Sequence, residues 1–194
     1  MYAHPTPQAY LDTALASLSN DSDWRSSLDA LPVPVYTTDA HGAVTYWNRA
    51  CVAFAGREPK LGEDKWCVTW QLYTTTGEPL PHDQCPMAEA LREKREVRGA
   101  VAIALRPDGT RRAFTPYPTP LFDEAGDLTG AVNLLIDVTE EQSSALLQQA
   151  KRCRRLSRTS SDQWSGKVLR DMAEAYEQSA KALRMSHAHG DLVT

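Results

Sequence analysis

Three turns set the folding options of this chain. Asp39-Ala40-His41-Gly42, Pro107-Asp108-Gly109-Thr110 and Asp123-Glu124-Ala125-Gly126 punctuate the stretch from Val33 to Gln142, with short β-like segments between them. Val35-Tyr36-Thr37-Thr38 is β-branched and aromatic, and the first turn leads it into Ala43–Trp47, which predicts a hairpin. Asn48 suits a helix N-cap, because its side chain accepts from free first-turn amides, and Gly56 suits the C′ position after Phe54. The aromatic stretch Trp66–Tyr73 follows a polar segment, and Thr74–Glu78 reads as a further turn. Pro86 fits the first turn of a helix that carries Met87, Ala90 and Leu91 and ends near Lys94. Ala100–Leu105, Arg111–Pro118 and Gly130–Val138 predict three more strands. Gly109 tightens the link between the first two, and Pro116, Pro118 and Pro120 restrict hydrogen bonding. The predicted order is β-β-α-α-β-β-β.

The flanks are helical. Tyr10, Leu11, Ala14, Leu15 and Leu18 recur at helical spacing, Trp24, Leu28 and Leu31 resume on one face, and Pro32 and Pro34 stop the helix. After the last strand, Thr139 with Gln142 reads as a capping box. Leu146, Ala150 and Cys153 share a face, and Ser160 with Gln163 could cap a second helix. That helix would carry Trp164, Val168, Met172, Tyr176, Ala180 and Leu183 as one apolar stripe. The two helices predict an antiparallel hairpin. The expected division is 1–31 for the N-terminal helices, 32–140 for an α+β domain, 141–186 for the hairpin and 187–194 for a tail.

Charge and cysteine usage narrow the function classes. The 194 residues carry a net charge of −4, which gives no electrostatic reason to expect nucleic acid or an anionic membrane. No apolar run is long enough to span a bilayer, and the N-terminus lacks the pattern of a secretory signal. Cys51, Cys67, Cys85 and Cys153 show no framework spacing, so reduced thiols and a cytoplasmic location are expected. The basic run Lys151, Arg152, Arg154, Arg155 and Arg158 reads as a solvated helix face before it reads as a patch for an acidic partner, nucleic acid or anionic lipid.

Taken in order, Tyr36–Gly42, Tyr46–Ala50, Arg106–Thr110, Pro120–Gly126 and Asp137-Val138-Thr139-Glu140 resemble a PAS domain, a sensory α/β module, over about 110 residues. The resemblance implies an α+β fold, a five-stranded antiparallel sheet with helices on one face that often encloses a ligand cavity. On that model Ala100, Ala102, Ala104, Phe114, Pro116, Ala131, Asn133 and Leu135 would line the cavity. Tyr46, Trp66 and Trp70 would fill it or contact a small ligand. The opposite face of the last strand, Val132, Leu134, Ile136 and Val138, is apolar and needs a cover, either the N-terminal helices or a partner subunit. Asp137 and Thr139 would form the junction to the output helix.

The same resemblance can be tested for cofactors. Trp66-Cys67-Val68 lacks the asparagine-cysteine-arginine motif of light-oxygen-voltage photoreceptors, and Leu135 stands where a glutamine is usual, which argues against flavin. The helix Pro86–Lys94 has no histidine for haem. His82 and Cys85 could supply two metal donors, and Cys85-Pro86 could direct a thiolate outward toward haem iron, but two ligands complete no site. No cofactor is required. No nucleotide, nucleophile-elbow or zinc-protease motif is present, and too few residues follow Gln142 for a kinase domain, so no enzyme is expected. The expected function is a sensor or adaptor that relays small-ligand or redox input through its C-terminal helix. Its partner would be a signalling protein such as a kinase or regulator, and the chain would be a homodimer. The alternatives are a dimerisation scaffold with a self-filled core and a haem- or metal-binding redox sensor.

Overall fold

The computed structural model describes residues 5–20, 22–160 and 162–185, and the tail expected at 187–194 lies outside them. Two compact units form. Residues up to Gly109 together with Phe114–Asp137 make the first, and Thr110–Ala113 with the residues from Val138 onward make the second.

The first unit is built on an antiparallel sheet. Its strands are β1 (Val35–Asp39), β2 (Val44–Trp47), β3 (Gln71–Tyr73), β4 (Ala102–Leu105), β5 (Arg111–Pro116, of which Phe114–Pro116 belong to this unit), β6 (Thr119–Phe122) and β7 (Leu128–Asp137), in the order β2-β1-β7-β5-β4-β3, with β6 also on β7. Among the described residues seven strands replace the expected five. The predicted strand Arg111–Pro118 stops at Pro116 as β5, because Pro116 and Pro118 cannot donate to a ladder, and β6 forms beyond it; both pair with β7. The aromatic stretch Trp66–Tyr73 supplies the short edge strand β3.

Alternation along β7 gives the unit two cores. Ala131 and Leu135 face one side with Tyr36, Phe54, Met87, Ala102, Ala104 and Phe114. Val132 and Leu134 face the other with Leu11, Ala14, Leu28 and Val35. The helices α1 (Pro7–Asn20) and α2 (Trp24–Asp29) therefore supply the cover that the apolar outer face requires. Full burial of each of the leucines contributes about 1.5–3 kcal/mol.

Helices α3 (Arg49–Ala55) and α4 (Pro86–Glu93) begin and end where the sequence places them. Asn48 caps α3 through the Cys51 amide, and Gly56 closes it at φ 66°. Pro86 opens α4, and Lys94 closes it in the left-handed region. The buried Arg106 guanidinium donates to the Phe54 and Ala53 carbonyls, which puts a cation at the C-terminus of α3.

Asn48 does more than cap. Its Oδ1 accepts from the amides of Val35 (3.0 Å) and Cys51 (3.2 Å), and its Nδ2 donates to the carbonyls of Leu28 (3.0 Å), Leu31 (3.4 Å) and Val33 (2.9 Å). It is fully buried, so each of these groups has exchanged water for this one amide.

The second unit contains a helical hairpin of α5 (Thr139–Thr159) and α6 (Gln163–Met185). Small residues bring the helices close. The Ser143 hydroxyl donates to the Ala180 carbonyl, and a Cβ on Gly166 would lie 3.5 Å from the Ser157 carbonyl oxygen. Between these layers Ala150 and Cys153 pack with Leu169, Ala173 and Tyr176, and Arg154 makes a two-pronged pair with Glu177. Three expectations change here. Thr139 and Gln142 form no capping box, since the N-cap residue is Val138 and makes no side-chain cap bond. Asp162, not Ser160, caps α6 through the amides of Trp164 and Ser165. The predicted stripe divides, because each four-residue step turns about 40° past a full turn and walks around the helix. Ala180 and Leu183 are buried, whereas Trp164, Val168 and Met172 are exposed.

Replacing Asn48 with alanine removes a cap and strands buried backbone groups of three segments. We expect Asn48→Ala to lower stability by about 3 kcal/mol, read as a fall in the urea midpoint. Wild-type stability in that variant would show that the amide is dispensable.

Candidate functional site

The inner core of the first unit is closed by a residue in an uncommon backbone state. Trp66 has φ 61°, rare for a bulky side chain. Its amide donates to the Gly42 carbonyl at 2.7 Å, and its indole lies against Gly42, where a Cβ would come within 2.4 Å of Nε1. Gly42 itself has φ 83°, so both the turn and the packing require glycine. The Trp66 carbonyl accepts from the Tyr36 hydroxyl (2.8 Å) and from the Cys85 thiol (4.0 Å).

Tyr36 is the centre of this arrangement. Its hydroxyl also accepts from Asn133 Nδ2 (3.0 Å), and Asn133 Oδ1 accepts from the Tyr117 amide (2.9 Å). Cys67 sits beside it, its Sγ 3.1 Å from Thr69 Oγ1. Burial holds the Tyr36 hydroxyl well above its ordinary value, with nearby Cys67 and Cys85 adding to the effect. Burial also raises Cys67 and Cys51 and pushes the Cys85 thiol up to about 12. All four groups are neutral donors at physiological pH.

The sequence candidates fall into two sets. Ala102, Ala104, Phe114 and Leu135 are buried in the inner core, Asn133 is hydrogen-bonded at its centre, and Trp66 packs against its edge. The Phe54 and Phe114 rings meet edge to face at 5.4 Å beside them. Tyr46 is a correction. Thr37 pairs with Tyr46 but Thr38 pairs with Val44, so a bulge at Thr45 turns Tyr46 to the outer core. There its ring meets Trp24 at 4.9 Å and its hydroxyl donates to the Arg25 carbonyl. Trp70 is the second correction. It lies in a bend before β3, beyond the reach of strand alternation, and is 46% exposed. It lines an open groove of roughly 410 Å³ with Leu72, Leu80 and His82.

His82 and Cys85 lie in different surroundings. Cys85 is directed into the core and not outward, whereas His82 borders the groove, its ionisation lowered by burial. Among the described residues no group of three or more His, Cys, Asp or Glu side chains is placed to hold a metal ion. No helix of the described residues is long and apolar enough to cross a membrane.

The junction residues occupy the end of β7 and the start of α5. Asp137 pairs with Phe114 in the ladder of the first unit. In the second unit the Val138 amide donates to the Ala113 carbonyl at 2.9 Å, and Thr139 Oγ1 accepts from the Ala113 amide at 3.0 Å. Thr139 is buried, and this commitment to Ala113 is why its hydroxyl does not cap the helix. Sequence reasoning missed the buried bonds of Tyr36, those of Asn48 beyond its cap, and the role of Arg106. The available signal was a polar side chain on a segment that must be buried, since such groups need partners.

An antiparallel sheet with helices packed on it, a central long strand and a helix continuing directly from that strand define a PAS-type sensory fold. A family model described as PAS fold matches residues 28–143, and the chain belongs to that family. No curated protein matches the chain. Similar solved structures include the Rhodobacter sphaeroides light-oxygen-voltage protein, at 14% identity, covering 93% of this chain and 99% of that one with a TM-score of 0.48. They also include the light-oxygen-voltage domain of a blue-light activated histidine kinase from Erythrobacter litoralis, at 19% identity, 56% and 97% coverage and a TM-score of 0.42. A third is a light-oxygen-voltage domain studied with a flavin analogue, at 14% identity, 69% and 98% coverage and a TM-score of 0.46. With such domains among the similar structures, the expectation that the sequence argues against flavin does not stand.

The raised thiols give a pH prediction. A thiol whose folded value lies above its ordinary value of 9.0 stays protonated in the native state while the unfolded chain ionises. Stability is therefore full below the ordinary value and falls as pH climbs from it toward about 12. Tyr36 acts in the same direction. Urea titrations at neutral and alkaline pH should show the midpoint falling, and Cys85→Ala should flatten that fall. A midpoint that holds or rises with pH would contradict the burial of these groups.

Proposed function

We propose that this chain is a PAS sensor or adaptor without an output enzyme of its own, relaying small-ligand or redox input through α5 to a signalling partner such as a kinase or regulator. The observation that carries the reading is the route along β7. Asn133 on that strand holds the Tyr36 hydroxyl and the Tyr117 amide. Four residues on, Asp137 is in the ladder, and Val138 and Thr139 then bind Ala113 at the start of α5. An event that rearranges the Tyr36 cluster changes what holds β7, and β7 is covalently continuous with α5. Input shifts the helix only by its differential affinity for the two arrangements. Cysteines without framework spacing support a reducing, cytoplasmic setting, and the active form is a homodimer.

The second reading is a dimerisation scaffold with a self-filled core. It is favoured by the burial of Phe54, Met87, Leu91 and Phe114 against the small face of Ala102 and Ala104. Native mass spectrometry with an absorption spectrum on freshly purified protein separates the two. A non-covalent adduct or a visible band supports the sensor, and a colourless protein at its bare mass supports the scaffold. Once a partner response is in hand, Asp137→Ala with Thr139→Ala should abolish it while the core stays folded. A normal response from that double variant would end the relay mechanism.

A further inference from the structure

Helix α6 has two apolar seams, and α5 covers one of them. Leu169, Ala173, Tyr176 and Ala180 recur at steps of three and four and face α5. Trp164, Val168, Met172, Ala175, Ser179 and Ala182 recur at the same steps about 110° around the helix. All six are exposed, Trp164 at 72%, Met172 at 42% and Val168 at 36%. A solvated helix has no use for a second seam, and a helix with two seams belongs to a bundle of more than two helices.

The side-chain sizes along the outer seam identify its occupant. The bulky residues Trp164, Val168 and Met172 occupy the N-terminal half, and the small residues Ala175, Ser179 and Ala182 the C-terminal half. A second α6 laid parallel would set Trp164 on Trp164 and leave Ala182 against Ala182, crowded at one end and empty at the other. Laid antiparallel, Trp164 meets Ala182, Val168 meets Ser179 and Met172 meets Ala175, so every layer pairs a large residue with a small one. The flanking position sets Asp171 beside Gln178, which opposes no like charges. The arrangement is self-complementary about a point between Ala173 and Glu174, as an isologous contact must be.

We infer that the outer seam of α6 is a homodimer interface, in which two copies pack their α6 helices antiparallel to make a four-helix bundle. This rests on the homodimeric part of the reading above and not on its sensing part. One helix of 23 residues presents a contact about 34 Å long, below the standard interface size, so the affinity is on the order of micromolar.

Light scattering over a concentration series tests the interface. The wild type should reach the dimer mass, and Val168→Glu with Met172→Glu should weaken association by about a hundredfold or more at unchanged circular dichroism. The orientation is read by oxidising Trp164→Cys and Ala182→Cys variants. Mixed together they should cross-link to each other, while each alone stays at the wild-type background. Same-variant cross-links, or a dimer indifferent to the two glutamates, would overturn this interface and leave the homodimer intact. A wild type that stays monomeric throughout would overturn both.

Discussion

One buried amide registers three parts of the chain against one another. The Asn48 side chain fixes the residues after α2, the first strand and the first turn of α3 at one point, with both of its polar atoms fully committed. Apolar packing alone is non-directional and would let the N-terminal cover slide over Val132 and Leu134. The amide removes that freedom, because a displaced cover would leave buried carbonyls without a donor. Everything else in the first unit inherits this registration: Tyr36 sits on the strand Asn48 holds, and Cys51 on the helix it caps.

Inside that frame, strain at Trp66 aims a carbonyl at the core. A left-handed backbone for a tryptophan costs on the order of 1–3 kcal/mol and persists only where its surroundings over-determine it. Here they do: the Gly42 carbonyl takes the Trp66 amide, Gly42 leaves room for the indole, and the carbonyl receives Tyr36 and Cys85. Such strain concentrates at sites of ligand clamping and switching. The neutral, desolvated thiols beside it are inert nucleophiles as they stand. Their reactivity would follow any rearrangement that admits water, which couples chemical readiness to conformation.

The fold was legible in the sequence wherever a local signal and the tertiary demand agreed. Asn48, Gly56, Pro86 and Gly109 each have one good backbone role, and each plays it. Alternation along β7 sorted its two faces, including the need for a cover on Val132 and Leu134. Legibility ended where a single extra residue changed the phase. The bulge at Thr45 reversed Tyr46, and nothing in Val44-Thr45-Tyr46-Trp47 announces it. The α6 stripe failed for a related reason, since successive steps of four drift around a helix and only mixed steps of three and four keep a face. The Thr139 hydroxyl was assigned a local partner although a distant one, the Ala113 amide, held it better.

Energetics limit what the junction can do by itself. The bonds of Val138 and Thr139 to Ala113 contribute about 1 kcal/mol each, so losing both shifts a two-state helix equilibrium by roughly 30-fold. Moving a population from 1:99 to 99:1 takes about 5.5 kcal/mol. On the proposed relay, a junction of this strength would grade an output and not throw a switch. A sharper response would have to recruit the bonds of Asn133, on the same strand, to Tyr36 and Tyr117, whose loss inside a dry core costs more per group than at an exposed site. The arrangement that makes the core expensive to disturb is thus the one that would make its disturbance felt at α5.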